Sequence, residues 1–411
     1  MAFFRVLQEP PYIMKIRNIV KNLFTILGAT IVGLILCEIL LRVAGISYPV
    51  FDTYDELRGI ALRPNKEGWY RNEGKAYLRI NSLGYRDVEH SIEKPLGTFR
   101  IAVLGDSFTE ARQVALEDTF WSYLGKNLNT CTTLTGKKIE VLNFGIGGYG
   151  TTQELLTLQH HVWQFNPDLV LLAVYTGNDI VNNSKKLSHA WGDDLRPFHV
   201  FKNGELVLDN SFRNFGWHTL WKKFLLHSIH YLRILEIINR AKHVWKSKLR
   251  KKSNVKDAMI TEVGLTPSVS SPPKTPVWKE AWLITEKLFS RIHQDVREHG
   301  ANFVLTTITN GKQVHPDTAV REKYRTKFGV EDLFYPERRI RSIGEKYEFP
   351  VITMAERLQQ VATQEGIFLH GFNNTTMGKG HWNENAHRLA GEILVKDICA
   401  KVLTPSLEVT K

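Results

Sequence analysis

A serine, a glycine, an asparagine and a histidine, far apart in the chain, are the residue types that acyl transfer needs: a nucleophile, oxyanion donors and a base. Ser107 lies in Phe99-Arg-Ile-Ala-Val-Leu-Gly-Asp-Ser-Phe-Thr-Glu110, where a short apolar run suited to a strand buried on both faces ends at Gly105. That position is the carboxyl end of a central strand, the edge where open α/β sheets bind ligands, so Ser107 is a candidate nucleophile. The same letters also make a plain strand-to-helix turn with Asp or Ser capping the next helix. Gly148, in Gly145-Ile-Gly-Gly-Tyr-Gly150, and Asn178, in Gly177-Asn-Asp179, can join the Ser107 backbone N–H as three donors for an oxyanion. His381, in Gly380-His-Trp-Asn383, precedes the last helix and can take the proton of the serine. Singly, each has a plainer reading: Gly148 and Asn178 as turn formers, His381 as a helix cap.

The elements that must bring these residues together follow from the hydrophobic pattern. Strands are expected at Ile101 to Leu104, Lys138 to Phe144, Asp168 to Tyr175, Asn302 to Ile308 and Pro350 to Met354. Helices are expected from Glu117 to about Leu128, Thr152 to Phe165, Trp278 to His299, Pro336 to Tyr347 and Asn383 to Val402. Five strands alternating with helices make a parallel sheet whose carboxyl ends share one edge, so Ser107, Gly148 and Asn178 converge without further assumption.

Two regions stand outside this pattern. Residues 47–98 read as an irregular connector packing across the sheet, with Arg79-Ile-Asn-Ser-Leu-Gly-Tyr-Arg86 as its patterned piece. Residues 182–276 read as an insertion, with an Asn-Gly hairpin at Phe201 to Leu208 and one long helical stretch from Trp217 to Lys252 that ends in Lys246, Lys248, Arg250, Lys251 and Lys252. That stretch suits a helix packed on the domain with a solvated basic tail, or a lid or membrane-facing surface helix.

The 411 residues, 43% hydrophobic and 23% charged, allow one enzyme-sized domain with additions. Lys and Arg number 54 against 42 Asp and Glu, a net charge of +12, with no nucleic-acid motif beside it. Residues 1–46 form a separate segment: Arg5, Lys15, Arg17 and Lys21 precede the apolar run Leu23 to Leu41, which at about 1.5 Å per residue can cross a bilayer core. The run continues into Leu-Arg-Val-Ala-Gly and not into a small-residue cleavage site, which favours an uncleaved anchor over a signal peptide. Basic residues ahead of it place the amino terminus in the cytoplasm and the bulk of the chain outside, on a single-pass inner-membrane protein.

Taken in order, Gly105-Asp106-Ser107-Phe108, the turn with Gly148, Gly177-Asn178-Asp179 and a histidine near the carboxyl terminus resemble the four blocks of the SGNH (GDSL-type) hydrolase family, over roughly Phe99 to Val402. The resemblance implies a flavodoxin-like three-layer α/β/α fold for residues 99–404, no metal or cofactor, and esterase or lipase activity with Ser107 and His381 catalytic and Gly148 and Asn178 in the oxyanion hole. The substrate class it implies is an acyl ester, of a surface carbohydrate or lipid. An O-acyltransferase to a polysaccharide, or an inactive carbohydrate-binding or assembly protein, are the competing readings.

One block departs from the family pattern. An aspartate usually lies two or three residues before the histidine; here Lys379 and Gly378 stand there. A backbone carbonyl in the 372–380 loop, or a carboxylate from elsewhere, must then orient His381. With the carbonyl the expectation is a Ser–His dyad and a slow enzyme. In such a fold the helices before Cys131 and around Cys399 lie side by side, so these cysteines are expected either to pair or to remain two unrelated thiols.

Overall fold

The run leading to Ser107 is a strand, Thr98–Gly105 (β1), at the centre of a five-stranded parallel sheet. The other members are Lys138–Asn143 (β2), Leu169–Tyr175 (β3), Asn302–Ile308 (β4) and Val351–Ile352 (β5). Their order across the sheet is β2-β1-β3-β4-β5 with every neighbouring pair parallel, the flavodoxin-like doubly wound topology. This is a computed structural model describing residues 11–189, 195–214, 216–253 and 265–403. Arg5 of the basic arm, parts of the insertion and residue 404 lie outside the described residues.

Alternation along the strands builds three layers. Ala102, Leu104, Val170, Leu172 and Leu305 point into one core, packed under the helices Thr151–Thr157, Pro276–Glu298 and Tyr335–Lys346. Ile101, Val103, Leu169, Leu171 and Val304 point into the other, under the helices Phe120–Asn127, Ala355–Glu365 and Glu384–Ile398. The helices Phe120–Asn127 and Glu384–Ile398 approach closely because Gly391 has no side chain: a Cβ there would strike Tyr123 and lie 2.9 Å from the Phe120 carbonyl oxygen. Near their ends Cys131 and Cys399 are disulfide-bonded, with Cα atoms 5.6 Å apart.

The connector is more regular than its sequence suggests. It forms two antiparallel hairpins, Asp52–Asp55 with Gly59–Leu62 and Glu67–Tyr70 with Ala76–Arg79. Phe51, Leu62, Ala76, Leu78, Ile80 and Tyr85 pack into the same core as Ala102 and Leu104. The helices Thr318–Phe328 and Ala355–Glu365 were not anticipated, the first because its sequence carries no apolar stripe and buries only Arg321 and Tyr324.

The described chain divides into two units, residues 51–227 with 250–411, which hold the sheet, and residues 1–50 with 228–249. In the second, a helix Pro11–Val43 carries the apolar run, with mean hydropathy 2.4 over its most apolar window and no residue of that window buried, so it is long and apolar enough to cross a membrane. It starts upstream of the apolar run, so Lys15, Arg17 and Lys21 lie in its first turns.

The long helical stretch of the insertion is broken into Trp217–Ser228 and Arg233–Ser253. The break has an identifiable holder: Glu38 accepts the backbone N–H of Arg233 at 3.1 Å and of Ile234 at 3.2 Å, so it caps the second helix from 195 residues away. Arg42 donates to the Tyr231 carbonyl at 2.6 Å within the break.

Candidate active site

Ser107 begins a four-residue helix, Ser107–Glu110, at the carboxyl end of β1. Its N-cap is Asp106, whose carboxylate accepts the Phe108 N–H at 2.9 Å. Gly105 is needed because a Cβ there would strike the Thr109 side chain and lie 2.9 Å from the Ala173 carbonyl oxygen on β3. The segment after the serine is gripped by Arg86, the last residue of the patterned piece of the connector. Buried to 1% exposure, it donates to the carbonyls of Glu110 at 2.8 Å, Val114 at 2.5 Å, and Ala111. The turn is thus fixed from both sides, leaving Ser107 partly exposed.

His381 reaches this turn. Its Nε2 lies 2.9 Å from Ser107 Oγ. Its Nδ1 lies 2.6 Å from Glu73 Oε2, and the other oxygen of Glu73 accepts the His381 backbone N–H at 2.8 Å. A carboxylate only accepts, so Nδ1 carries the ring proton and Nε2 is left to take the serine's. The acceptor is therefore neither a carbonyl of the 372–380 loop nor a group in the histidine's own block. The dyad reading is corrected: the turn of the second connector hairpin supplies the carboxylate, which takes away the ground on which a slow enzyme was expected. Burial pushes the Glu73 carboxyl up, but the hydrogen bonds and charge of His381 outweigh this and hold it below the usual carboxylate range.

Both partners are positioned from further out. Asn374 clasps the Glu73 turn, accepting the Gly74 N–H at 2.9 Å and donating to the Gly74 carbonyl at 2.8 Å. Gly74 has φ +66°, and a Cβ on it would strike the Gln113 carbonyl. Gly380 has φ +82° and presses against Glu73 where no side chain would fit. Its carbonyl accepts Nδ1–H of His370 at 2.7 Å, while His370 Nε2 lies 3.1 Å from the Thr309 hydroxyl, which in turn accepts the Trp382 indole N–H at 2.9 Å. Burial pushes the His370 pKa down to about 4, so it serves as a neutral strut.

The two proposed donors lie at the neighbouring strand ends. Asn178 heads the helix Asp179–Asn182 without its side-chain oxygen capping that helix, and that oxygen is buried with no hydrogen-bond partner. Asp179 closes the same turn by accepting the Tyr175 N–H at 2.7 Å. Gly148, φ +82°, has its carbonyl held by Arg196. The preceding Gly147 stands against Ser107: its N–H donates to Glu110 at 2.6 Å, and a Cβ on it would be 3.6 Å from Ser107 Cβ. Among the described residues no group of His, Cys, Asp and Glu is arranged to hold a metal ion.

No protein-family model matches the chain, and no characterised protein matches it in sequence. Solved structures that it is similar to include an acetyl xylan esterase, with 14% identity over 73% of this chain and 100% of that one and a TM-score of 0.38. A lipase/acylhydrolase from Enterococcus faecalis shows 12% identity, coverage of 74% and 97%, and a TM-score of 0.36. A catalytic mutant of an acetylxylan esterase from Geobacillus stearothermophilus shows 11% identity, coverage of 74% and 96%, and a TM-score of 0.36. By the order of its strands the chain has a flavodoxin-like three-layer α/β/α fold, with the turns that carry Ser107, Gly148 and Asn178 at the carboxyl ends of its strands.

Proposed function

We propose that the chain is a membrane-anchored serine esterase that hydrolyses O-acyl esters outside the cytoplasm. The observation that carries this reading is the unbroken line from Glu73 through His381 to Ser107, at 2.6 and 2.9 Å. Ser107 Oγ attacks the acyl carbonyl as its proton passes to His381 Nε2, and Glu73 stabilises the imidazolium that forms. The Ser107 and Gly148 N–H groups and the Asn178 amide receive the oxyanion. Collapse of that intermediate expels the alcohol, which leaves with the proton from His381. Water then attacks the acyl-enzyme, giving its proton to His381, and the acid departs as Ser107 is reprotonated.

The anchor reading is supported by the apolar, exposed span and by the contacts made at its outer end. Glu38 and Arg42, in the last turns of that helix, make the hydrogen bonds that shape the insertion helices, and Ser47 and Tyr48 bond to the buried Glu236 at 3.0 Å each. A leader destined for removal would take Glu38 and Arg42 away from these partners.

The test is fluorophosphonate labelling of the full-length protein in detergent. Labelling of the native chain and none of Ser107→Ala is expected; an unlabelled native protein would overturn the esterase reading. Product analysis with an acyl donor, with and without a sugar acceptor, separates hydrolysis from O-acyl transfer, which would pass through the same acyl-enzyme.

A further inference from the structure

We infer that the helix Arg233–Ser253 is a membrane-surface element that seats the outer end of the anchor on anionic phospholipid. The inference rests on the anchor reading above, and concerns a helix of the insertion that takes no part in the esterase chemistry. It begins with where the helix is tied. Its first two N–H groups bond to Glu38, and the Tyr231 carbonyl just before it bonds to Arg42, so its amino-terminal end sits level with the last two turns of the apolar span. A side chain exposed at that level faces lipid headgroups and the adjoining acyl chains.

The exposed side chains suit that environment. Tyr231 is 55% exposed, Ile238 57% and Trp245 63%, with Leu232 and Val244 also open. Ile238 and Trp245, seven residues apart, share one helical face, with Ala241 and Lys242 exposed between them, whereas Glu236 is buried on the other side. In water this face is a liability; at a bilayer boundary aromatic and aliphatic groups of this kind are favoured. Just beyond the span, Tyr48 joins Ile237, Arg240, Ala241, Val244 and Trp245 in lining a shallow groove that sets aromatic rings beside a guanidinium. A phospholipid offers the matching pair, an apolar glycerol–acyl region under a phosphate.

Charge selects the kind of lipid. Beyond Trp245 the sequence of the same helix reads Lys246-Ser-Lys-Leu-Arg-Lys-Lys-Ser253, with five cations and no acidic residue. A basic amphipathic helix adjoining a membrane span is drawn to negatively charged headgroups, each cation adding to the attraction within a Debye length.

The experiment uses the full chain with Cys37 replaced by Ala, reconstituted in vesicles of phosphatidylethanolamine and phosphatidylglycerol. Single cysteines at Ile238→Cys and Trp245→Cys carry a spin label, with Ile31→Cys as the anchor control and Lys126→Cys as the aqueous reference. The expected result is a several-fold higher ratio of oxygen to nickel-chelate collisions at 238 and 245 than at 126, falling toward the 126 value in phosphatidylcholine vesicles. Aqueous values at 238 and 245 with a hydrocarbon value at 31 overturn this proposal and leave the anchor standing. An aqueous value at 31 removes the anchor and the proposal with it. Spin–spin broadening at 238 and 245 that disappears on dilution with unlabelled chain would show a second copy as the occupant, and also overturns it.

Discussion

Glu73 and His381 are 308 residues apart in the chain, yet both carboxylate oxygens of Glu73 are spent on His381, one on the ring and one on the backbone N–H. This fork fixes the tautomer, the ring orientation and the height of the histidine loop at once. An aspartate in the histidine's own block would secure only what its side chain could reach; here a hairpin from the other end of the domain does it.

Glu73→Gln is therefore expected to cost rate and not folding. The amide keeps the shape but loses the negative charge that stabilises the imidazolium, and its N–H₂ invites the wrong tautomer. A fall in kcat on the order of 10²–10⁴, with KM nearly unchanged, is expected by analogy with acid-to-amide changes in other triads. Steady-state kinetics on a soluble acyl ester checks it, and an unchanged kcat would return the site to a dyad.

Asn178→Ala is expected to lower kcat by about 10²–10³ while fluorophosphonate still labels Ser107 slowly. The side chain does not cap its own helix, so the thermal midpoint should barely move. A large drop in stability with little loss of rate would make Asn178 a turn residue only.

Stability should fall as pH rises through the range set by Glu337. This residue is buried beside Gln313, whose amide donates to both of its oxygens at 2.9 and 3.0 Å, and burial pushes its pKa up to about 8. The unfolded chain gives up the proton near 4.5, so between there and about 8 the folded state binds more protons and stability declines, by up to ~1.4 kcal/mol per pH unit. Glu337→Gln removes this titration. Urea midpoints measured from pH 5 to about 8.5 should slope downward in the native protein and be flatter in the variant; equal slopes would assign the dependence to other groups.

The Cys131–Cys399 bond closes a sequence separation of 268 residues. Its removal by Cys131→Ser with Cys399→Ser should cost roughly 2–4 kcal/mol of stability. His381 lies just before the helix Glu384–Ile398, whose far end runs into Cys399, and Ser107 belongs to the separate helix Ser107–Glu110, so esterase activity at low temperature should persist. Denaturant unfolding with and without reductant measures the difference, and no shift would mean that the bond does not form in the protein as made.

The sheet and three of its edge turns were legible because each rests on local chemistry: an apolar run, then glycine with a polar residue. Glu73 was not, since Arg71-Asn-Glu-Gly-Lys75 looks like any solvated turn. Its signal was indirect. The histidine block lacked its own acid, which left a loop carbonyl or a carboxylate from elsewhere to orient His381 and named neither. The broken insertion helix was illegible for a related reason: Trp217 to Lys252 keeps helical spacing throughout, and the interruption is held by Glu38, a residue from the other end of the chain.

The long reach between Glu73 and His381 also bears on when the chain becomes reactive during its synthesis. Ser107 and its turn emerge early, but the base that awakens the serine arrives only with the penultimate stretch of polypeptide, and the carboxylate that steers the base must already be waiting in a finished hairpin. On the esterase reading proposed above, a chain whose synthesis has not yet reached His381 holds its serine without a base.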